Sequence, residues 1–193
     1  MTVVCLGDSI TAGYPYEKEA SWVQLCAEDL NLNLINAGIN NHTTGDMLAR
    51  FNRDVTPHRP KAVIILGGTN DAWQGVPMEK TKENFKRMID MVYAINAQSI
   101  LGLIPPIIKD KVQACFQLKD VEQFNNRLIK IRDWLKVFSG DKKILLLDFY
   151  TPLCKNGTGR GDPALFVDGG HPNRRGYRLL AESIKADLQN IEK

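Results

Sequence analysis

Ala62-Val63-Ile64-Ile65-Leu66-Gly67-Gly68-Thr69-Asn70-Asp71 is an unbroken apolar run that ends abruptly in glycines and polar side chains. A strand with one wet face alternates apolar and polar residues, so five apolar residues in a row read as a strand covered on both faces. Such strands belong to parallel sheets, where ligands bind in the crevice beyond the strand carboxyl ends. The polar residues straight after Leu66 are therefore the first place to look for chemistry.

The pattern repeats on either side. Short runs rich in β-branched residues or leucine at 2–6, 33–36, 99–104 and 143–148 alternate with longer stretches of helical periodicity, the signature of βαβ units. Ser21-Trp22-Val23-Gln24 reads as a capping box opening a helix that runs to about Leu30, and Thr43 or Thr44 reads as a second N-cap. Leu48, Phe51 and Val55 mark the next apolar stripe, and Phe85, Met88, Ile89, Val92 and Ile95 the one after it. Val121, Phe124, Leu128, Ile131, Leu135 and Phe138 step by three and four, as do Tyr177, Leu180, Ile184, Leu188 and Ile191. The fold class predicted is α/β, a three-layer α/β/α sandwich around a parallel sheet of about five strands. Its 193 residues fit a single domain spanning 1–193.

Composition narrows the function. Lys and Arg are dispersed and the net charge is only +3, which argues against a nucleic-acid partner. Met1 leads directly into Val3-Val4-Cys5-Leu6, and no apolar stretch nears the ~18 residues of a membrane span. The expectation is a cytoplasmic protein without integral membrane association. Cys5, Cys26, Cys115 and Cys154 lie far apart and form no C-x-x-C or zinc-ligand spacing.

Three more polar clusters follow strand ends or precede the last helix: Gly7-Asp8-Ser9-Ile10-Thr11, Ala37-Gly38-Ile39-Asn40 and Asp168-Gly169-Gly170-His171-Pro172-Asn173. A serine hydroxyl is a poor nucleophile until an imidazole takes its proton, and that imidazole needs a carboxylate to fix its tautomer. Asp168 and His171, three apart in a glycine-rich turn, can supply both. Asp8 reads as a brace of the Ser9 loop through backbone hydrogen bonds, and Tyr14, Tyr16 and Trp73 fall near the mouth. His42 and His58 read as ordinary surface or capping residues.

Gly-Asp-Ser-Ile, a lone glycine after the second strand, Gly-Gly-Thr-Asn-Asp and Asp-x-x-His-Pro, in this order across nearly the whole chain, resemble the four blocks of the SGNH (GDSL-type) hydrolases. Carried over residue by residue, the resemblance implies Ser9 as nucleophile and first oxyanion donor, Gly38 as backbone donor and Asn70 as side-chain donor. His171 would be the base and Asp168 its orienting partner. It implies a small-molecule ester as substrate, no metal or organic cofactor, and a flavodoxin-like strand order 2-1-3-4-5. The family spans short-chain esterases, thioesterases, lysophospholipases and carbohydrate deacetylases, and fold does not choose among them.

Residues 105–118 follow the fourth strand beside the same crevice, and Pro105-Pro106 ends regular structure there. Ile107, Ile108, Val112 and Phe116 can wall an acyl site or close the core under a loop; with Trp73, Ile108 and Phe116 are the candidate substrate contacts. Two other functions fit parts of the pattern: a metal-dependent phosphoesterase using Asp8, Asn70, Asp71, Asp168 and His171 as ligands, and an inactive ligand-binding member of the same fold. Neither G-x-S-x-G nor a phosphate-binding glycine loop follows the first strand.

Overall fold

The computed structural model describes residues 1–191. Five parallel strands, β1 (Thr2–Gly7), β2 (Asn33–Gly38), β3 (Ala62–Leu66), β4 (Gln98–Leu103) and β5 (Leu145–Asp148), lie in the order β2-β1-β3-β4-β5. The strand order is the expected one. Between and after them run α1 (Ser9–Ala12), α2 (Trp22–Leu30), α3 (Thr44–Ala49), α4 (Phe51–Asp54), α5 (Thr69–Gln74), α6 (Met78–Ala94), α7 (Lys109–Phe116), α8 (Val121–Lys142) and α9 (Arg174–Asn190).

The uninterrupted apolar strands have the predicted reason: successive residues feed two separate cores. Val4, Leu6, Val63 and Ile65 face a core with Met47, Phe51, Phe85, Leu128 and Ile131. Val3, Cys5, Ile64 and Leu66 face the other, built with Trp22, Cys26, Tyr177, Leu180 and Ile184. The capping and stripe residues read from sequence explain the helices. Ser21 Oγ accepts from the Gln24 N–H at 3.2 Å, but the Gln24 amide donates to Glu28 instead of closing a box. The reciprocal box sits at Thr43, where the Asp46 N–H meets the Thr43 hydroxyl and Asp46 accepts from the Thr43 N–H.

Three local expectations change. The stripe of Leu48, Phe51 and Val55 belongs to two short helices, with a break at Arg50 (φ −98°, ψ 1°). Regular structure ends at Pro105-Pro106 but resumes within the segment 105–118, most of which is helix α7. Lys143 is not in β5, because it closes α8 in the left-handed conformation and the strand starts at Leu145.

Among the described residues, no helix is long and apolar enough to cross a membrane. The four cysteines are unbridged, and Cys5 and Cys26 are buried.

Candidate active site

The parallel register sets the site. Gly7 pairs with Gly38 on one side and Leu66 on the other, so β1, β2 and β3 end level and their following loops emerge together. Ser9 opens α1 directly after β1. Asp8 caps that helix, its Oδ1 accepting from the Ile10 N–H at 2.9 Å, as expected of a brace. With only four residues in α1 and the cap bonded to Ile10, the Ser9 N–H makes no hydrogen bond within the described chain.

His171 arrives from the far side of the sheet. The turn carrying it closes on itself, the Val167 N–H donating to His171 O at 2.9 Å, and α9 begins immediately after the Asn173 cap. Gly169 has φ +90°, and a Cβ there would lie 2.7 Å from Ile108 O, so the turn needs glycine for conformation and space. Asp168 Oδ1 accepts from the Gly170 and His171 N–H groups at 2.9 and 2.8 Å. That leaves Oδ2 to meet His171 Nδ1 at 2.7 Å, while Nε2 lies 2.9 Å from Ser9 Oγ. Burial raises the Asp168 carboxyl, but the His171 ring and the two backbone donors outweigh it and hold the group below its usual range. Ser9 is 7% exposed and the His171 side chain 19%, so the chain of three is shielded yet reachable. The Tyr14 and His171 rings pack edge to face with centroids 4.7 Å apart, whereas Tyr16 lies under the Arg174 guanidinium.

These groups open on a cavity of about 320 Å³. Ser9, Asn41, Asn70 and His171 line its polar end; Trp73, Val112, Phe116 and Phe124 line its apolar end. Trp73 meets Phe116 and Phe124 edge-on at 5.5 and 5.3 Å. Trp73 and Phe116 thus line the cavity onto which Ser9 opens. Ile108 does not: it borders a separate depression with Arg132 and Tyr150, because the α7 turn carries Val112 and Phe116, not Ile108, toward Ser9.

Gly38 also departs from expectation. Its N–H donates to Asn36 Oδ1 at 3.0 Å, and Asn36 Nδ2 in turn holds Thr11 O at 2.8 Å. A Cβ on Gly38 would sit 2.2 Å from the Ala12 N, so this glycine lets α1 approach β2 and has no donor to spare. Asn41 was missed. It holds φ +65°, lines the cavity, and its N–H is bonded to nothing in the described chain. Its sequence signal is the tolerance of asparagine for the left-handed region.

The carboxylates do not gather as a metal site. Asp71 turns away from the cavity and accepts from Thr44 N at 2.8 Å, from the Thr44 hydroxyl and from the Thr81 hydroxyl at 3.1 Å. Among the described residues, no group of three or more His, Cys, Asp or Glu is placed to hold a metal ion.

The sequence model of the GDSL-like Lipase/Acylhydrolase family matches residues 5–179. The chain belongs to this family. It is 33% identical over 111 residues to an arylesterase of Vibrio mimicus, covering 54% of this chain and 56% of that one. It is 28% identical over 197 residues to esterase TesA of Pseudomonas aeruginosa, covering 98% and 89%. Several of the curated relatives are matched over only about half their length. A lipase/acylhydrolase structure from Enterococcus faecalis superposes with a TM-score of 0.81 at 27% identity, covering 98% and 95% of the two chains. A G-D-S-L family lipolytic protein from Veillonella parvula shares the fold at 24% identity, with a TM-score of 0.82 over 98% of each chain.

Burial pushes the Asp8 carboxyl up from 3.8 to about 6, against the opposing Ile10 N–H bond and the His171 charge. The folded chain therefore binds this proton more tightly than the unfolded chain, and stability falls as pH rises from about 4 through 6. A gap of that size is on the order of 3 kcal/mol. Asp8→Asn keeps a capping oxygen but no charge, so denaturant titration should find it more stable than the parent at pH 7.5, with the advantage gone at pH 4. Equal midpoints at pH 7.5 would contradict the buried-charge account.

Proposed function

We propose that this chain is a serine ester hydrolase that acts through an acyl-Ser9 intermediate. The observation that carries the reading is the continuous chain Ser9 Oγ, His171 Nε2, His171 Nδ1, Asp168 Oδ2, with links of 2.9 and 2.7 Å, opening on a mainly apolar cavity. His171 takes the Ser9 proton as the hydroxyl attacks the ester carbonyl, and Asp168 holds the ring in the tautomer that leaves Nε2 free to accept. The imidazolium then gives its proton to the departing alcohol. Water, deprotonated by the same nitrogen, releases the acid and regenerates Ser9.

Negative charge develops on the carbonyl oxygen during both steps and needs donors fixed in advance. The Ser9 N–H and the Asn70 amide are assigned to it. The second backbone donor is assigned to Asn41, whose N–H is free beside the cavity, instead of Gly38, whose N–H is already bonded to Asn36.

The apolar end supplies the selectivity. Trp73, Phe116, Val112 and Phe124 form a wall for the acyl or alcohol portion of a small ester. The esterase names of the relatives agree with this substrate class.

Ser9→Ala should lower kcat toward p-nitrophenyl esters by roughly 10⁴-fold or more while leaving the thermal midpoint nearly unchanged. Turnover near the parent rate would remove Ser9 as nucleophile.

Phe116→Ala should shift the ratio of kcat/KM between hexanoyl and acetyl esters by up to ~1–3 kcal/mol, while Ile108→Ala should leave that ratio alone. The reverse pattern would move the acyl site to the neighbouring depression.

A further inference from the structure

Arg50 is a buried cation at the break between α3 and α4, 5% exposed, and all three of its guanidinium nitrogens are engaged. Nη2 donates to Gly7 O at 2.7 Å, the last residue of β1. Nη1 donates to Ala37 O at 2.9 Å near the end of β2, and to Asp54 Oδ2 at 2.8 Å. Nε donates to His42 Nδ1 at 3.0 Å. From that break the side chain reaches the loop 39–43 through the His42 ring.

That loop also touches the catalytic cluster through its backbone. Asn70 Nδ2 donates to the His42 carbonyl at 3.0 Å. A carbonyl can only accept, so this bond decides which end of the Asn70 amide is its nitrogen. One N–H is used on His42, and the other remains for the cavity that Asn70 lines with Ser9. Were the loop to shift, the amide could rotate and present its oxygen to an oxyanion, turning an attraction into a repulsion.

We propose that Arg50 and His42 are positioning residues for Asn70: the guanidinium fixes the His42 turn against the ends of β1 and β2, and the His42 carbonyl fixes the orientation of the Asn70 amide. The proposal rests on the reading of Asn70 as an oxyanion donor. The His42 ring has to be neutral to accept from Nε, and burial, followed by the Arg50 charge, lowers its pKa in the direction this requires. Neither residue touches the reacting atoms, so both act through Asn70.

A double-mutant cycle on the full chain with p-nitrophenyl acetate tests this. Asn70→Ala should lower kcat by about 10²–10³-fold. His42→Ala should lower kcat about 10-fold, with KM within about twofold, since a small displacement of a fixed donor is felt mainly in the transition state. In the Asn70→Ala background the same His42→Ala change should alter kcat less than about twofold, because the group it positions is gone. His42→Gln, which keeps an acceptor for Nε, should restore most of the loss. Arg50→Lys, which keeps a cation but has no Nε, should reproduce it. Equal His42→Ala factors in both backgrounds, or a His42→Ala variant with parental kcat, would overturn the proposal. An Asn70→Ala variant with parental kcat would instead overturn the oxyanion reading and remove the proposal with it.

Discussion

The level ending of three parallel strands is the constraint on which everything else depends. Gly7 lies between Gly38 and Leu66 in register, so the residues that follow β1, β2 and β3 leave the sheet side by side. A slip of one strand would carry Ser9, Asn41 or Asn70 along its axis by ~3.3 Å, more than a hydrogen bond can span. The two-sided core holds that register. Val3 and Cys5 pack on one layer while Val4 and Leu6 pack on the other, so neither face of the central strand can slide without burying the wrong side chains.

On that frame the loops are fixed by buried polar groups. Asp8 caps the helix that carries Ser9, Asp71 ties α5 to the starts of α3 and the neighbouring α6, and Arg50 joins the ends of two strands to a loop. Each buries charge, which opposes folding unless donors or acceptors surround it. Asp71 is surrounded by three donors and Arg50 by four acceptors. Asp8 has one backbone donor, and its carboxyl is accordingly displaced toward the neutral form. The buried carboxyl held toward its neutral form is thus the one next to Ser9.

Most of the frame was legible in the sequence because burial on both faces writes itself as unbroken apolar runs, and helix faces as steps of three and four. The gathering of Ser9, Asn70 and His171 at one cavity, with Asp168 behind the His171 ring, was legible because each stands next to a strand end or in a turn before a helix. What escaped depended on long-range partners. Gly38 looks the same in sequence whether its N–H is free or bonded to Asn36. Arg50 reads as one more surface cation until Gly7 and Ala37 are seen beside it. Ile108 and Phe116 sit in the same stretch, but the turn of α7 sends them to different depressions, and nothing in an apolar stretch interrupted by Lys109-Asp110-Lys111 announces that turn.

The central claim is that Ser9 is the atom that becomes acylated, and covalent capture tests it most directly. The chain would be treated with a p-nitrophenyl phosphonate ester and followed by intact mass, peptide mapping and residual ester turnover. The account predicts a single adduct, on the peptide carrying Ser9, formed in step with the loss of turnover and suppressed in His171→Ala. Turnover that persists with Ser9 fully modified, or inactivation with the adduct on another residue, would contradict it.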